Sequence, residues 1–528
     1  MLRVDQLRLM PEEKESQLCA KVAKVLRIAP EQILSLQVLR RAVDGREQLH
    51  FVYTVAVEVK KEDSLLRRCR DRRVSRYAPQ IYTPPAAQPT PEIPPVVIGA
   101  GPAGLFAALL LSYAGLRPIL LERGQCAEQR AMDVQRFWSE GVLNTESNVQ
   151  FGEGGAGAFS DGKLNTGTKD IRHRWILEQL VSCGSPESIL IDAKPHIGTD
   201  YLHITLQNLR KKLQDLGCDI RFGHRLEQVH TQGGALTGLT VRAGEETYHL
   251  PCRHAVLAVG HSARDTFEML HGCGITMEPK PFAVGVRIEH SQSSIDAVQY
   301  KAFAGHPSLG AATYKLSCHL PNGRSAFSFC VCPGGEVVAA ASETGRTVTN
   351  GMSEYARDRE NINGALLVNV TPHDFPTDHP LAGIAFQRTL EEAAFAMGAT
   401  PYHAPCQRVE DFLLRRPSTG PGTVKPSYRP GVTWCDLHRC LPPFVAETLE
   451  LALPLLEEKL PGYAHGDALL TAVESRSSSP VRIPRDETYQ SSIRGLYPCG
   501  EGAGYAGGIL SAAADGMRCA EHITGGII

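Results

Sequence analysis

The chain has 528 residues, 42% of them apolar and 21% charged, with a formal net charge of −2. These are the values of an ordinary soluble chain of roughly three domains at about 150 residues each, and no global field points to nucleic acid or membrane. The first residues lack the apolar segment of a signal peptide. The 15 cysteines, odd in number and scattered, argue for a reduced, cytoplasmic protein rather than a disulfide framework.

Residues 1–77 are expected to form a small α/β unit. MLRVDQLRL alternates as a strand does, PEEKESQLCAKVAKVLRI has a helical period, and two strands flank a turn at Asp44-Gly45. From Lys60 to Tyr77 the chain carries eight Lys or Arg against three acids. No aromatics are interleaved for base stacking, so this reads as a solvated helix face, with contact to RNA or another acidic partner as the alternative. Residues 78–95 hold seven prolines and can join neither a helix nor a central strand, which makes them an extended linker.

The main body opens with VVIGAGPAGLFAALLLSYAGLRPILLERG. Val96–Ile98 make a buried strand, Gly99 to Gly104 a turn, Leu105–Tyr113 a helix, and Ile119–Leu121 the next parallel strand. In this G-x-G-x-x-G pattern Gly99 permits the tight turn, Gly101 the approach of a pyrophosphate, and Gly104 the close packing of helix on sheet. Pro102 and Ala103 complete the loop, so that phosphate lies at a helix N-terminus. Glu122 ends the second strand, where an acid accepts hydrogen bonds from an adenosine ribose and repels the 2′-phosphate of NADP. Arg123 follows it, and LLERG at this point resembles FAD-binding flavoproteins more than NAD dehydrogenases.

Two further segments fit the same glycine pattern in other contexts. FGEGGAGAFSDGKLNTGTKD has no leading strand and no following apolar helix. Its glycines and polar residues, Lys163 among them, suggest a loop folded over a ligand, with N–H groups for the flavin or its phosphates and Lys163 for positive charge; the alternative is a mobile surface loop. Residues 218–260 read as antiparallel strands returning to a buried strand at Ala255–Val259 and then Gly260. Near the C-terminus, GLYPCGEGAGYAGGILSAAADG is similar to the flavoprotein motif in which a strand ends in Gly-Asp and the acid binds a ribityl hydroxyl. Here Gly500-Glu501 stand in that place. Gly507, Gly508 and Ile509 open a helix whose N-terminus would face the flavin and stabilise negative charge on the reduced ring.

GAGPAGLFAA, FGEGGAGAFSDGKLNTGTKD, NGMSEYARDRENINGALLV, SSSPVRIPRD and GEGAGYAGGILSAAADG together resemble a family of bacterial FAD-dependent dehydrogenases of the glutathione-reductase-like superfamily. The resemblance covers nearly the whole chain and implies FAD contacts at Gly99, Gly101, Gly104, Glu122, Gly260, Gly500 and Glu501. The expected class is α/β: a Rossmann-type FAD-binding domain with an inserted mixed β-rich substrate domain, plus a small N-terminal α/β (ferredoxin-like) domain. The boundaries are 1–77, the linker 78–95, the FAD domain in 96–273 and 487–528, and the substrate domain in 274–486.

The chemistry between these flavin segments is less marked. Cys330 and Cys332 sit two apart on a strand and share a face; packing is the favoured reading and a redox pair the alternative. Cys435 and Cys440 have a C-x4-C spacing but lie far from the first nucleotide loop, where flavin disulfide reductases place theirs, and read as two separate thiols. No metal site is expected. In VESRSSSPVRIPRD, Arg482 is the candidate to hold a carboxylate substrate or the flavin pyrimidine, with an ion pair to Glu474 or Asp486 as the alternative. The expected function is FAD-dependent hydride transfer to or from a small molecule, with NAD(P)H as a transient donor or an electron-transfer partner left open. A flavin monooxygenase is one alternative, and an RNA- or protein-interacting flavoprotein using the basic N-terminal unit is another.

Overall fold

The structure, a computed structural model, describes residues 1–45 and 48–525. Leu2–Leu9, Ile33–Asp44, His50–Val59 and Val74–Arg76 form an antiparallel sheet in the order second, third, first, fourth, with helices Leu18–Leu26 and Glu62–Arg68. That is two interleaved βαβ units. Leu2, Val4, Leu7 and Leu9 alternate into a core shared with Leu18, Val22 and Leu26. The first helix starts later than its periodicity suggests, because Glu13 folds back to accept from the Met10 N–H at 2.7 Å and closes a turn. The basic segment is divided: Leu65 buries one side of the short helix Glu62–Arg68, and Val74–Arg76 becomes an edge strand. The turn expected at Asp44-Gly45 runs on into residues outside the described ones.

This unit is fastened at two places. Its strand Ile33–Asp44 reaches residues 191–193, with Arg41 N to Ile191 O at 2.7 Å, Ala193 N to Arg41 O at 2.8 Å, and the Arg41 guanidinium on Asp192 at 2.8 Å. Ser308 donates to the Pro11 carbonyl at 3.4 Å, and Leu309 packs on the unit's core. The proline-rich segment has no regular structure, as missing N–H donors dictate, yet it is held to the body. Tyr82 is buried, donates to Glu521 at 2.7 Å and packs edge-on to Trp175, while Gln88 N bonds Ala114 O at 2.8 Å.

The main body begins with five parallel strands, ordered Leu496–Pro498, Ala255–Leu257, Val96–Ile98, Ile119–Glu122, Asp219–Phe222. Helix Pro102–Tyr113 is apolar all round and buried from Ala103 to Ser112, as a helix enclosed by protein on every side must be. The C-terminal helix Ile509–Ile523 lies directly against it; a Cβ at Gly516 would come within 2.0 Å of the Ala103 carbonyl. A three-stranded antiparallel meander, His224–Gln232, Ala235–Ala243 and Glu246–Pro251, precedes the return to the sheet.

Residues 281–477 build a seven-stranded sheet whose two central strands, Phe282–Ser291 and Asn361–Val370, are buried almost throughout. Its two faces differ. Val284, Val286, Ile288, Leu366 and Leu470 pack beneath helix Pro443–Lys459 with Val445, Leu449 and Leu453. The opposite face buries Arg287, Glu289, Asn361, Asn363, Gln407 and Thr471. A buried polar face costs stability unless its groups are hydrogen-bonded, and Arg287 shows how this is met. All five of its N–H donors are used, on Glu474, Asn350, Asn363 and the Cys330 carbonyl.

Candidate functional site

Three glycine-rich segments, distant in sequence, line one cleft at the carboxyl ends of the parallel strands, where open α/β sheets bind ligands. From the first segment come Gly99, Gly101, Pro102 and Ala103, with Glu122 and Arg123 from the next strand. The helix starts at Pro102, earlier than expected, with proline in the first turn, where its missing N–H costs nothing. Gly104 does not face the cleft. A Cβ there would lie 1.8 Å from the Gly99 carbonyl, so the glycine lets the helix meet the turn that precedes it.

The Glu122 carboxylate accepts from Ala100 N at 2.7 Å and from Gly124 N and Gly152 N at 2.9 Å each. A carboxylate offers about four acceptor sites, so one is left for a ribose hydroxyl. Arg123, also in the lining, pairs with Asp265 at 2.8 Å and Glu146 at 3.0 Å and lies over Phe151.

The middle segment contributes Gly152, Gly155, Ala156 and Gly157. It is held by a residue the sequence reading passed over. Arg130 is fully buried and donates to the carbonyls of Asn148, Val149, Glu153 and Gly155 at 2.6–3.0 Å. A guanidinium spread over four carbonyls leaves the loop one shape, so it is no mobile surface loop. Lys163 goes elsewhere: it pairs with Asp161 at 2.9 Å and donates to the Val331 carbonyl, outside the cleft lining.

Gly260 lines the cleft from the strand Ala255–Leu257, which ends two residues short of the expected Val259, and Gly500, Glu501, Gly508 and Ile509 line it from the C-terminal segment. Gly507 is exposed and outside the lining. Beside Glu501 stands His261, again unread from sequence, with Nδ1 3.5 Å from the carboxylate and a buried Nε2 that has no partner among the described residues. Arg482 lies outside the lining, exposed, 5.0 Å above the Tyr505 ring. Neither expected partner reaches it. Glu474 is taken by Arg287 and Asp486 by the Thr488 hydroxyl and nearby N–H groups, while the neighbouring arginines pair with Glu391 (Arg476) and Asp515 (Arg485). Cys435 and Cys440 are ordinary packed thiols; burial raises Cys435 to about 11.

The cleft fits FAD by its own geometry. It is long and glycine-walled, open at Gly101 where a Cβ would meet nothing closer than 3.9 Å, and it offers the orphaned His261 nitrogen as a polar contact. Known proteins agree. Residues 92–143 match a model described as FAD binding domain, residues 281–477 one described as FAD-dependent protein, C-terminal domain-like, and residues 1–58 a domain of unknown function. An uncharacterised protein of Clostridium beijerinckii is 44% identical over 527 residues, covering 99% of this chain and 98% of that one.

The chain belongs to this family of FAD-dependent proteins. The flavoprotein has a mixed α/β fold. Among solved structures it is similar to a flavin-dependent brominase (13% identity, TM-score 0.38, 82% of this chain and 81% of that). A geranylgeranyl bacteriochlorophyll reductase-like protein of Thermoplasma acidophilum is 11% identical (TM-score 0.38, 82% and 77%). At those scores neither bears on the flavoprotein's substrate. No helix among its described residues is long and apolar enough to cross a membrane.

Proposed function

We propose that this flavoprotein oxidises or reduces a small carboxylate-bearing molecule by hydride transfer at flavin N5. The reading rests on the convergence of the three glycine segments on one cleft. Bound FAD supplies the hydride acceptor or donor; the residues of the chain bind, orient and tune. N–H groups at the start of helix Pro102–Tyr113 hold the pyrophosphate, the spare acceptor of Glu122 takes a ribose hydroxyl, and Glu501 takes a ribityl hydroxyl. The N-terminus of helix Ile509–Ile523 sets partial positive charge toward the ring. Arg482 has no carboxylate partner among the described residues and binds the substrate's. Lys280 adjoins it, its pKa lowered by burial and then by the Arg482 charge.

The test is anaerobic mixing of oxidised and of pre-reduced FAD-loaded protein with a panel of carboxylate metabolites, read as bleaching or as return of the flavin absorbance. A change with at least one, with Arg482→Ala raising the half-saturating concentration, is the expected result; no change in either form with any of them defeats the proposal. NAD(P)H is added in a separate arm, because rapid NAD(P)H oxidation with substrate-dependent oxygen insertion would make the protein a monooxygenase instead.

A further inference from the structure

The strand Ser325–Cys332 slips against its neighbour: Phe329 pairs with Ala365 but Cys332 with Asn363, three steps on one strand against two on the other. This β-bulge carries Cys330 to φ +41, a left-handed backbone that a non-glycine residue adopts only when its surroundings impose it. The surroundings are Arg287, donating to the Cys330 carbonyl at 2.8 Å, Lys163, donating to the Val331 carbonyl, and the Cys332 thiol, 3.4 Å from the Cys330 carbonyl. The bulge sets the two thiols two residues apart, with the Cys332 sulfur turned back on the Cys330 carbonyl.

The charges around this pair do not balance. Among the described residues, Lys163 and Arg357 share Asp161 as their carboxylate partner, and Arg287 pairs with Glu474. His196 and Tyr314, the other titratable groups nearby, are held neutral because burial lowers the first and raises the second. Asn363 is fully buried, and its Nδ2 donor has no partner among the described residues. Three cations are thus set against two carboxylates around the cysteines. Cys330 is half-buried and Cys332 fully buried, so Cys330 is the thiol a reagent reaches.

We propose that Cys330 and Cys332 are a redox-active dithiol that reduces small-molecule disulfides, with Cys330 the attacking thiolate, Cys332 the resolving thiol and Lys163 the counter-ion. Cys330 sulfur attacks one sulfur of R–S–S–R, forming the mixed disulfide and releasing RS⁻. Cys332 then gives its proton to the departing thiolate and attacks Cys330 sulfur, expelling the second RS⁻, which takes up the proton shed when the Cys330 thiolate formed. Two thiols and one disulfide become one protein disulfide and two RSH. The neighbouring Cys332 thiol, and then the charges of Lys163 and Arg287, hold the Cys330 thiol well below the ordinary thiol range despite its burial. A thiolate at neutral pH is what such exchange requires.

Cleavage after Arg324 and Arg346 yields a tryptic peptide in which Cys330 and Cys332 are the only cysteines. FAD-loaded protein is treated with cystamine at about pH 6.5, quenched in acid, denatured, alkylated and digested. The peptide is expected to run two hydrogens lighter and unalkylated. In Cys332→Ser it carries one cysteamine on Cys330, and in Cys330→Ser it carries none. Lys163→Met is expected to slow the reaction at that pH by about tenfold, and Lys163→Arg to restore most of the rate. Recovery of the wild-type peptide fully alkylated overturns the proposal, as does an adduct on Cys332 in Cys330→Ser. Should Lys163→Met fail to fold, the two cysteine variants decide it.

Discussion

Replacing Gly101 with valine should separate folding from cofactor binding. Gly101 has φ −75 and ψ −179, extended values open to any residue. A methyl there would meet nothing nearer than the Gly155 Cα at 3.9 Å. The apo fold therefore loses nothing, and the smaller conformational freedom of the unfolded chain should stabilise it by about 0.4–1 kcal/mol. The same side chain stands where the pyrophosphate must approach the loop. Losing two charge-assisted hydrogen bonds at about 1.5–3 kcal/mol each removes about 3–6 kcal/mol, or at least ~150-fold in FAD affinity. Thermal unfolding of the apo proteins and titration by flavin fluorescence measure the two effects separately. Gly104→Ala is the contrast: its Cβ would sit 1.8 Å from the Gly99 carbonyl and should unfold the loop. Unchanged FAD affinity in Gly101→Val, or an apo stability loss as large as that of Gly104→Ala, would refute the reasoning.

Glu501→Ala should weaken FAD by about 10- to 150-fold with the fold intact, and equal affinity in the same titration would remove its ribityl role. Glu521→Ala should destabilise the protein by about 1–3 kcal/mol in denaturant unfolding, because it leaves Arg172 with Asp170 alone and takes the acceptor from the buried Tyr82 hydroxyl; a neutral result would mean that the linker is not held there. Burial raises the Glu153 carboxyl to about 7, so the folded state keeps a proton that the unfolded state releases near the usual carboxylate range. Wild-type stability should therefore fall relative to Glu153→Gln as pH rises from about 4.5 to 7, by up to about 3 kcal/mol, and then level off. A gap constant from pH 4 to 8 would contradict this.

The sequence told most where local chemistry decides structure. The strand Val96–Ile98, the helix Ile509–Ile523 and the three glycine loops are legible because a tight turn, a phosphate site or an alanine-lined contact permits few residue types. What stayed hidden depends on long-range partners. Arg130 looks like any charged residue on an amphipathic helix, yet four carbonyls from residues 148–155 make it the brace of the middle loop. Glu521 reads as a helix-end acid on the surface, until Tyr82 arrives from 439 residues away. Arg482 stands among cations in the sequence, and only the folded pairing shows that Arg476 and Arg485 are neutralised. The bulge at Cys330 follows from cross-strand register, which alternation alone does not encode.

The fastening of the N-terminal unit bears on how the flavin lobe and the substrate lobe can move. Its edge strand is stitched to residues 191–193 of one lobe, while Pro11 and the surrounding core grip Ser308 and Leu309 of the other. The unit thus works as a strut across the seam. Hinge opening to admit a bulky substrate would have to break one of these attachments first, so small ligands that enter through the existing cleft are favoured over large ones.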